Sequence, residues 1–519
     1  MDYVLVGILI VYLAVVAYVG IWGMRKSKTL TDYIIAGRKI PPLVLAFTLL
    51  ATWFSGWAFV GNPGYMYAFG FPAMHWNLFL GIGIMLSIAF FALPLRTSTE
   101  RLGSLSIPDW IGDRYDSKIA RGLTAILVII ILVISMVAQY KAIALLFEPF
   151  LGLTFQQTTV IFGLIVVFYA CIGGLFAVVY TDFLQGALML PIALAPILAF
   201  SMIGGTSGFM DSISGVVEPY YTGFTGGLNT PMYLLAIGLC FLVLHVSSVY
   251  NSVRFLFLKK EKGSFLKLLW LVLGLYCILW VAGFTGWFGK AVYPDLASPD
   301  SIMPLMITTV FPRAAALLLT LTILAAVMSS SDSILMTMGT AFGRDLYQKC
   351  INPSAEDRKV LLYTRIAVIV LGIIPIIMLL WRTPQFLAIF MAMGTTGLAT
   401  AILAPIILGV YWKRGTKLGT IASIIAGPTV YVFGIKIMGW AWPYAGVLAF
   451  FLAGLLYIVI SLVTPPPSDE IIRLGYTGGG VEETGSAAKG SKPKTAVSHV
   501  EWRDVYIHLF EETPVPTYS

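Results

Sequence analysis

The sequence predicts an all-α polytopic membrane protein of about thirteen transmembrane helices, and three observations carry that expectation. Of 519 residues, 58% are hydrophobic and only 11% charged, with a mean hydropathy of +0.89; a soluble domain carries about 25% charged residues. The apolar residues lie in long continuous runs rather than in alternation, which excludes a membrane β-barrel. The basic residues fall almost entirely in every second connection between those runs. A soluble enzyme, a disordered chain and a nucleic-acid binder are all excluded. The net charge of +8 would point to a polyanion only if the basic residues shared one water-facing surface, and they do not.

A helical crossing takes about 20 mostly apolar residues. The first run, 4–23, has no basic segment before it and no convincing cleavage site after it, so it reads as a retained anchor. With its basic connection it makes up residues 1–40. Five runs follow (41–70, 76–95, 119–147, 156–175 and 184–204), filling a unit 41–204. Residues 205–229 are expected as an extracellular loop. The next five runs (230–257, 265–289, 302–341, 361–381 and 385–411) fill a unit 230–411. Two more, 418–438 and 443–463, lie in 412–463. The tail, 464–519, opens on Pro465, Pro466 and Pro467 and turns rich in Gly, Ser and Lys, a composition that resists folding. Its apolar stretch, His499 to Phe510, either docks on the membrane's inner face or frays. Four scattered cysteines, at 171, 240, 277 and 350, form no CxxC pair and indicate neither a disulfide framework nor a thiolate metal site.

Charge fixes the direction. Arg25, Lys26, Lys28, Arg38 and Lys39 follow the first run, and Arg96, Arg101, Arg114, Lys118 and Arg121 the third. Arg254, Lys259, Lys260, Lys262 and Lys267 surround the seventh-to-eighth connection. Arg344, Lys349, Arg358, Lys359 and Arg365 surround the ninth-to-tenth, and Lys413, Arg414 and Lys417 follow the eleventh. The alternate connections hold only Lys290, Arg313, Arg382 and Lys436. A division of 23 against 4 makes the rich side cytoplasmic. The expected location is the cell membrane, with the N-terminus outside and the C-terminus inside.

Polar groups inside a membrane are costly, so each is a functional candidate. The run 41–70 is too long for one plain crossing and is interrupted by Ser55, Gly56, Gly61, Asn62, Pro63 and Gly64. A helix broken there exposes carbonyls suited to a small hard cation; the alternative is close helix packing through small residues. In the run 302–341, Ser329, Asp332 and Ser333 share one helical face beside Ser330 and Ser331. Hydroxyls and a carboxylate suit an oxygen-ligated cation, unless the serines bond back to their own helix. Asp182 sits before the run 184–204 and reads either as a helix-start residue or as a buried functional acid. The stretch His245, Ser247, Ser248, Tyr250, Asn251 and Ser252 marks a second break, with His245 either facing a cavity or satisfied in the core. Gln139 is a further polar candidate. Lys141 either meets a substrate carboxylate or snorkels to the outer interface. The sequence contains no P-loop, HExxH or supported GxSxG motif, so no enzyme activity is expected.

Both five-run units open with a long, polar-interrupted span. Because five crossings is odd, the units enter the membrane from opposite sides, which is the pattern of an inverted-repeat transporter with its site at the midplane. The segments DYIIAGRKIP, ATWFSGWAFVGNPG, GGLFAVVYTDFLQ and AAVMSSSDSILMTMGTAFGRDLYQ further resemble the sodium:solute symporter family, over roughly residues 4–463. The resemblance implies a LeuT-type five-plus-five core with one helix before it and two after. It also implies sodium as coupling ion, with no organic cofactor and a small organic solute as cargo, an amino acid or small carboxylate favoured. Carried over by position, the principal sodium site would use carbonyls of Ala51, Phe54 and Ala326 with hydroxyls of Ser329 and Ser330. A second sodium site, present in some members, would fall on Asp182, Asp332 and Ser333, although Asp332 stands where some two-sodium members carry serine. Trp53, Ser55, Trp57, Gln139 and His245 are the candidate substrate contacts. Besides the solute, the expected partner is the lipid bilayer. The sequence sets no oligomeric state; a single chain is the expectation for transport. A proton-coupled transporter and a transporter-like receptor or sensor are the alternatives.

Overall fold

A computed structural model describes residues 3–26, 30–214, 230–259, 263–384 and 386–476. Most of the expected 205–229 loop and the tail beyond 476, including the stretch 499–510, lie outside the described residues. So do Lys28, Lys260 and Lys262.

The membrane helices are α1 (Tyr3–Lys26), the bent pair α2 (Pro42–Trp53) and α3 (Trp57–Phe69), α4 (Phe71–Leu102), α5 (Lys118–Leu151), α6 (Phe155–Cys171) and α7 (Gly174–Met202). The second bent pair is α8 (Pro231–Ser247) and α9 (Val249–Phe257), followed by α10 (Ser264–Val292), α11 (Arg313–Ile351), α12 (Asp357–Trp381), α13 (Leu387–Tyr411), α14 (Lys417–Lys436) and α15 (Trp442–Val463). Among the described residues ten of these are each long and apolar enough to cross a membrane. The bent pairs, 60° at α2/α3 and 44° at α8/α9, bring the count to twelve. The remaining expected run, 156–175, folds as the shorter apolar helix α6, at the lower end of the length that spans a bilayer core.

Local chemistry sets the boundaries. Pro42 and Pro231 occupy first turns, where a missing N–H costs nothing. Ser117 caps α5 through Ala120 N at 3.1 Å, and Thr154 with Gln157 forms a capping box on α6. Gly174 separates α6 from α7 with φ 67°; a Cβ there would lie 2.5 Å from the Tyr33 ring, so both conformation and packing demand glycine. This moves the start of α7 ten residues before the expected 184, and Asp182 lies two turns inside it rather than at its start. The expected run 302–341 is likewise corrected: Phe311 and Pro312 leave the helical conformation, so Ile302–Val310 is a separate element and α11 runs Arg313–Ile351.

The core forms around α2, α7 and α11, which pack on one another. α1 lies against α6 and α7, with Gly20 under Tyr169 and Gly23 under Ala177. α14 and α15 pack together and against α13. The two bent pairs are joined end to end: Ile40 N donates to Phe257 O and Lys259 N to Ile40 O, each at 3.0 Å, linking the entry of α2 to the exit of α9.

Candidate functional site

α2 stops at Trp53 because the chain leaves the helix at Phe54 (φ −78°, ψ 103°). Its last carbonyls lose their intrahelical donors. Gly56 N, which a continuing helix would direct at Thr52 O, instead donates to Gln139 Oε1 at 3.0 Å, and Gln139 Nε2 donates to Ser55 Oγ at 3.1 Å. Gln139 and Ser55 therefore hold the break open.

The released carbonyls are met from α11. Ser329 Oγ donates to Ala51 O at 2.8 Å; Ser330 Oγ lies 3.1 Å from both Ala51 O and Thr52 O. Ser329 Oγ is also 3.0 Å from Ala326 O. Phe54, at the turn, is buried with its ring against Phe59 and Tyr276. The structure thus brings Ala51, Ala326, Ser329 and Ser330 into one buried, all-oxygen cradle beside Phe54. Neutral carbonyls and hydroxyls at this spacing fit a monovalent hard cation, which takes oxygen ligands.

Next to this cradle lies a second cluster. Asp182 Oδ2 accepts from Thr48 Oγ1, from Thr52 Oγ1 at 3.4 Å and from Arg254 Nη2 at 2.9 Å. Ser333 Oγ contacts Arg254 Nη2 and stands 3.3 Å from Thr52 Oγ1 and 3.4 Å from Asp332 Oδ1. Arg254 Nη1 donates to Tyr250 O at 2.5 Å. Asp182, Asp332, Ser333 and Arg254 are all fully buried. Arg254 is therefore not the loop charge its position suggested, and Thr48 and Thr52 carried no signal beyond being hydroxyls in an apolar run.

A narrow cavity lies at both helix breaks, lined by Trp53, Trp57, Phe241, Leu244, Tyr250 and Met391 among others. Among the described residues no charged side chain lines it. Trp53 and Trp57 meet edge to face at 6.4 Å, and Trp53 Nε1 has no hydrogen-bond partner. Ser55, Gln139 and His245 are outside the lining; His245 lies behind Trp53 at 4.9 Å with both ring nitrogens unpartnered. Lys141 neither snorkels nor faces the cavity. It is buried, pairs with Asp300 and donates to Pro384 O at 2.9 Å. Asp300, which hydropathy placed in a connection, caps α13 by accepting from Leu387 N at 2.9 Å.

Two broken helices whose breaks flank an aromatic cavity, with an oxygen cradle for a cation beside it, define a cation-coupled secondary transporter. Known proteins agree. The description "Sodium:solute symporter family" matches residues 33–427, and the chain belongs to that family. It is 27% identical over 481 residues to the osmoregulated proline transporter of Bacillus subtilis (strain 168), covering 89% of this chain and 96% of that one. It is 26% identical over 436 residues to the sodium/pantothenate symporter of Escherichia coli (strain K12), covering 82% and 89%. A Na+-coupled sialic acid symporter, solved in a substrate-bound outward-open state, shares the fold with a TM-score of 0.76 at 20% identity, over 90% of this chain and 99% of that one. Mhp1, a nucleobase-cation-symport-1 family transporter, follows at a TM-score of 0.56 and 13% identity, over 86% and 99%.

Proposed function

We propose that this chain is a sodium-coupled symporter that imports a small organic solute across the cell membrane by alternating access, with its N-terminus outside and its C-terminus in the cytoplasm. The observation that carries this reading is the convergence of Ser329 and Ser330 hydroxyls on the carbonyl of Ala51 at the break of α2. Carbonyls of Ala51, Phe54 and Ala326 and hydroxyls of Ser329 and Ser330 hold the co-transported sodium. Sodium there bridges the two units 41–204 and 230–411, which rock against each other.

Coupling follows from adjacency. Ala51 presents a carbonyl of the cradle, Thr52 O accepts from the cradle hydroxyl of Ser330, and Trp53, the next residue, lines the cavity. Fixing the end of α2 fixes the Trp53 ring, so sodium preorganises the solute site, and solute binding then favours the occluded form. With about 100 mV across the membrane one charge contributes about 2.3 kcal/mol, and a tenfold sodium gradient adds about 1.4 kcal/mol. Together roughly 3.7 kcal/mol holds a neutral solute near a 500-fold gradient, so one sodium per cycle is sufficient.

The cavity's chemistry limits the solute. Aromatic walls favour a compact apolar body, and an amino acid or small carboxylate would place its anionic end on the unpartnered Trp53 Nε1–H, since among the described residues no cationic side chain lines the cavity. The substrates named for the proline and pantothenate relatives are of this class. Uptake of labelled proline and pantothenate into proteoliposomes tests the proposal. An imposed sodium gradient is expected to drive accumulation that Ser329→Ala reduces at least tenfold. Uptake driven equally by a pH gradient in sodium-free buffer, with Ser329→Ala unchanged, would refute it in favour of proton coupling.

A further inference from the structure

Further along α11, past the cradle, a separate set of oxygens meets at one place. The helix is wound as a π-helix from Ala341 to Ile351. In an α-helix, residues five apart point about 140° away from each other, whereas i→i+5 winding stacks them. Thr340 and Asp345 accordingly line one narrow cavity, together with Thr337 of α11 and Val249 and Val253 of α9. Both are buried, and neither Thr340 Oγ1 nor Asp345 Oδ2 has a hydrogen-bond partner. Thr337 Oγ1 donates back to Ser333 O at 2.8 Å and so keeps its lone pairs for other ligands. Ser106 Oγ donates to Asp345 Oδ1 at 2.7 Å, which fixes the carboxylate. The neighbouring cations are engaged on Asp109, Arg121 at 3.4 Å, Arg344 at 3.5 Å and Lys349 at 3.9 Å; among the described residues none pairs with Asp345.

We infer that Asp345 Oδ2, with the hydroxyls of Thr340 and Thr337, forms a way-station that takes sodium on its route from the cradle to the cytoplasm. The inference rests on the sodium reading of the Ser329–Ser330 cradle. A buried carboxylate oxygen and a buried hydroxyl left without partners are costly, and a hard cation satisfies both with the oxygen ligands it prefers. The cavity is no larger than a single water or a bare monovalent ion needs, so it admits the ion and excludes an organic solute. Thr340 lies about 15 Å along the helix axis from Ser330, at about 1.5 Å per residue, a distance that a bare ion cannot cross in an apolar interior without ligands. Adjacent residues of α9 face the two cavities, Tyr250 the solute cavity and Val249 this one. A shift of α9 that opens the solute cavity inward therefore reshapes the ion's route in the same movement.

Infrared difference spectra of the purified full chain, in sodium chloride minus choline chloride, test this without knowledge of the solute, because a carboxylate that gains a sodium ion shifts its stretching bands. Wild type is expected to show a sodium-dependent carboxylate band that Asp345→Asn removes and that Ser329→Ala, which disables the cradle, retains. Thr340→Val deletes an unpartnered hydroxyl at nearly constant shape. It should raise the half-saturating sodium concentration of that band about threefold or more while Tm stays unchanged or rises, a combination that a purely structural hydroxyl would not give. Identical sodium-dependent spectra for wild type and Asp345→Asn would overturn the way-station, the cavity then holding water only. The cradle would survive that result if sodium still raises the Tm of wild type and not that of Ser329→Ala. A band lost in Ser329→Ala would also overturn the way-station, since the change would then follow the cradle. Sodium that leaves both the spectrum and the Tm of wild type unchanged would overturn the cradle, and the way-station with it. Should Asp345→Asn fail to fold, Thr340→Val decides, a shifted half-saturation supporting the site and an unshifted one refuting it.

Discussion

Lys141 on α5 reaches Asp300, in the segment between α10 and α11, and so ties a membrane helix to the connection that caps α13. The pair is dry: the side chains are 4% and 1% exposed. Lys141→Met keeps most of the aliphatic stem and removes the ammonium, leaving Asp300 Oδ2 with the N–H of Leu387 as its remaining donor and Pro384 O without its ammonium. Breaking a buried pair by deleting one partner costs about 3–5 kcal/mol, whereas replacing both by neutral groups is often close to neutral. In Lys141→Met/Asp300→Asn the amide oxygen still accepts from Leu387 N and no charge is stranded, so most of the loss should return, giving a coupling of about 2–3 kcal/mol. At about 2.1 cal/mol/K per residue over a chain of this length, 1 kcal/mol corresponds to about 1 °C in Tm. Thermal unfolding in detergent should therefore show the single variant about 3–5 °C below wild type and the double variant most of the way back. Equal losses in both would mean the two charges do not act on each other, and the latch would be refuted.

Two further outcomes follow from packing and charge. Gly286→Ala places a Cβ 1.8 Å from the carbonyl oxygen of Pro63, a backbone atom that cannot rotate away, whereas Gly274→Ala on the same helix meets nothing within 4 Å. The first should cost the upper end of the 1–3 kcal/mol typical of overpacking, or more, and the second should leave Tm unchanged or raised. In the connection between α4 and α5, burial first and the neighbouring Asp109 second push the Asp113 carboxyl above its ordinary 3.8, against the lowering pull of Ser104, Arg121 and Lys349. The folded chain then holds this proton more tightly than the unfolded chain. The associated stabilisation is complete below 3.8 and is lost as pH rises through the raised value. Asp113→Asn should flatten the fall in stability across that window, read as Tm against pH.

Much of this was legible in hydropathy and spacing, and what was not has identifiable causes. The length of 41–70 and its polar residues announced a broken helix, but both readings of them hold: the break falls at 54–56, while Gly61 and Gly64 lie within α3 and serve close approach to Ala388 and Asp300. The resemblance put Ser329 and Ser330 at the cradle, whereas helical spacing grouped Ser329 with Asp332 and Ser333; the structure turns Asp332 toward Ser333 and Tyr169. Hydropathy cannot see Phe311–Pro312 ending an element inside an apolar run, hence the early start expected for α11. The ion pairs were invisible for a plainer reason. Arg254 lies 72 positions from Asp182, and Asp300 159 from Lys141; each partner looked like an interface or loop charge until the fold buried it.

The arrangement also explains how so small a site can couple ion and solute. Within the six residues 48–53, α2 supplies two hydroxyls to Asp182, two carbonyl acceptors to the cradle's hydroxyls and one wall of the cavity. α9 repeats the logic from the other unit: Tyr250 lines the cavity, and one turn later Arg254 binds both Asp182 and the carbonyl of Tyr250. No long chain of contacts is needed to pass a signal, because a shift of either helix end moves cavity wall and ion ligands together. The hydrogen bonds from Ile40 N to Phe257 O and from Lys259 N to Ile40 O then join the far ends of these two segments. A movement of α2 that opens the cradle must therefore either carry α9 with it or break those two bonds, which makes the joint where the two units must move together or part.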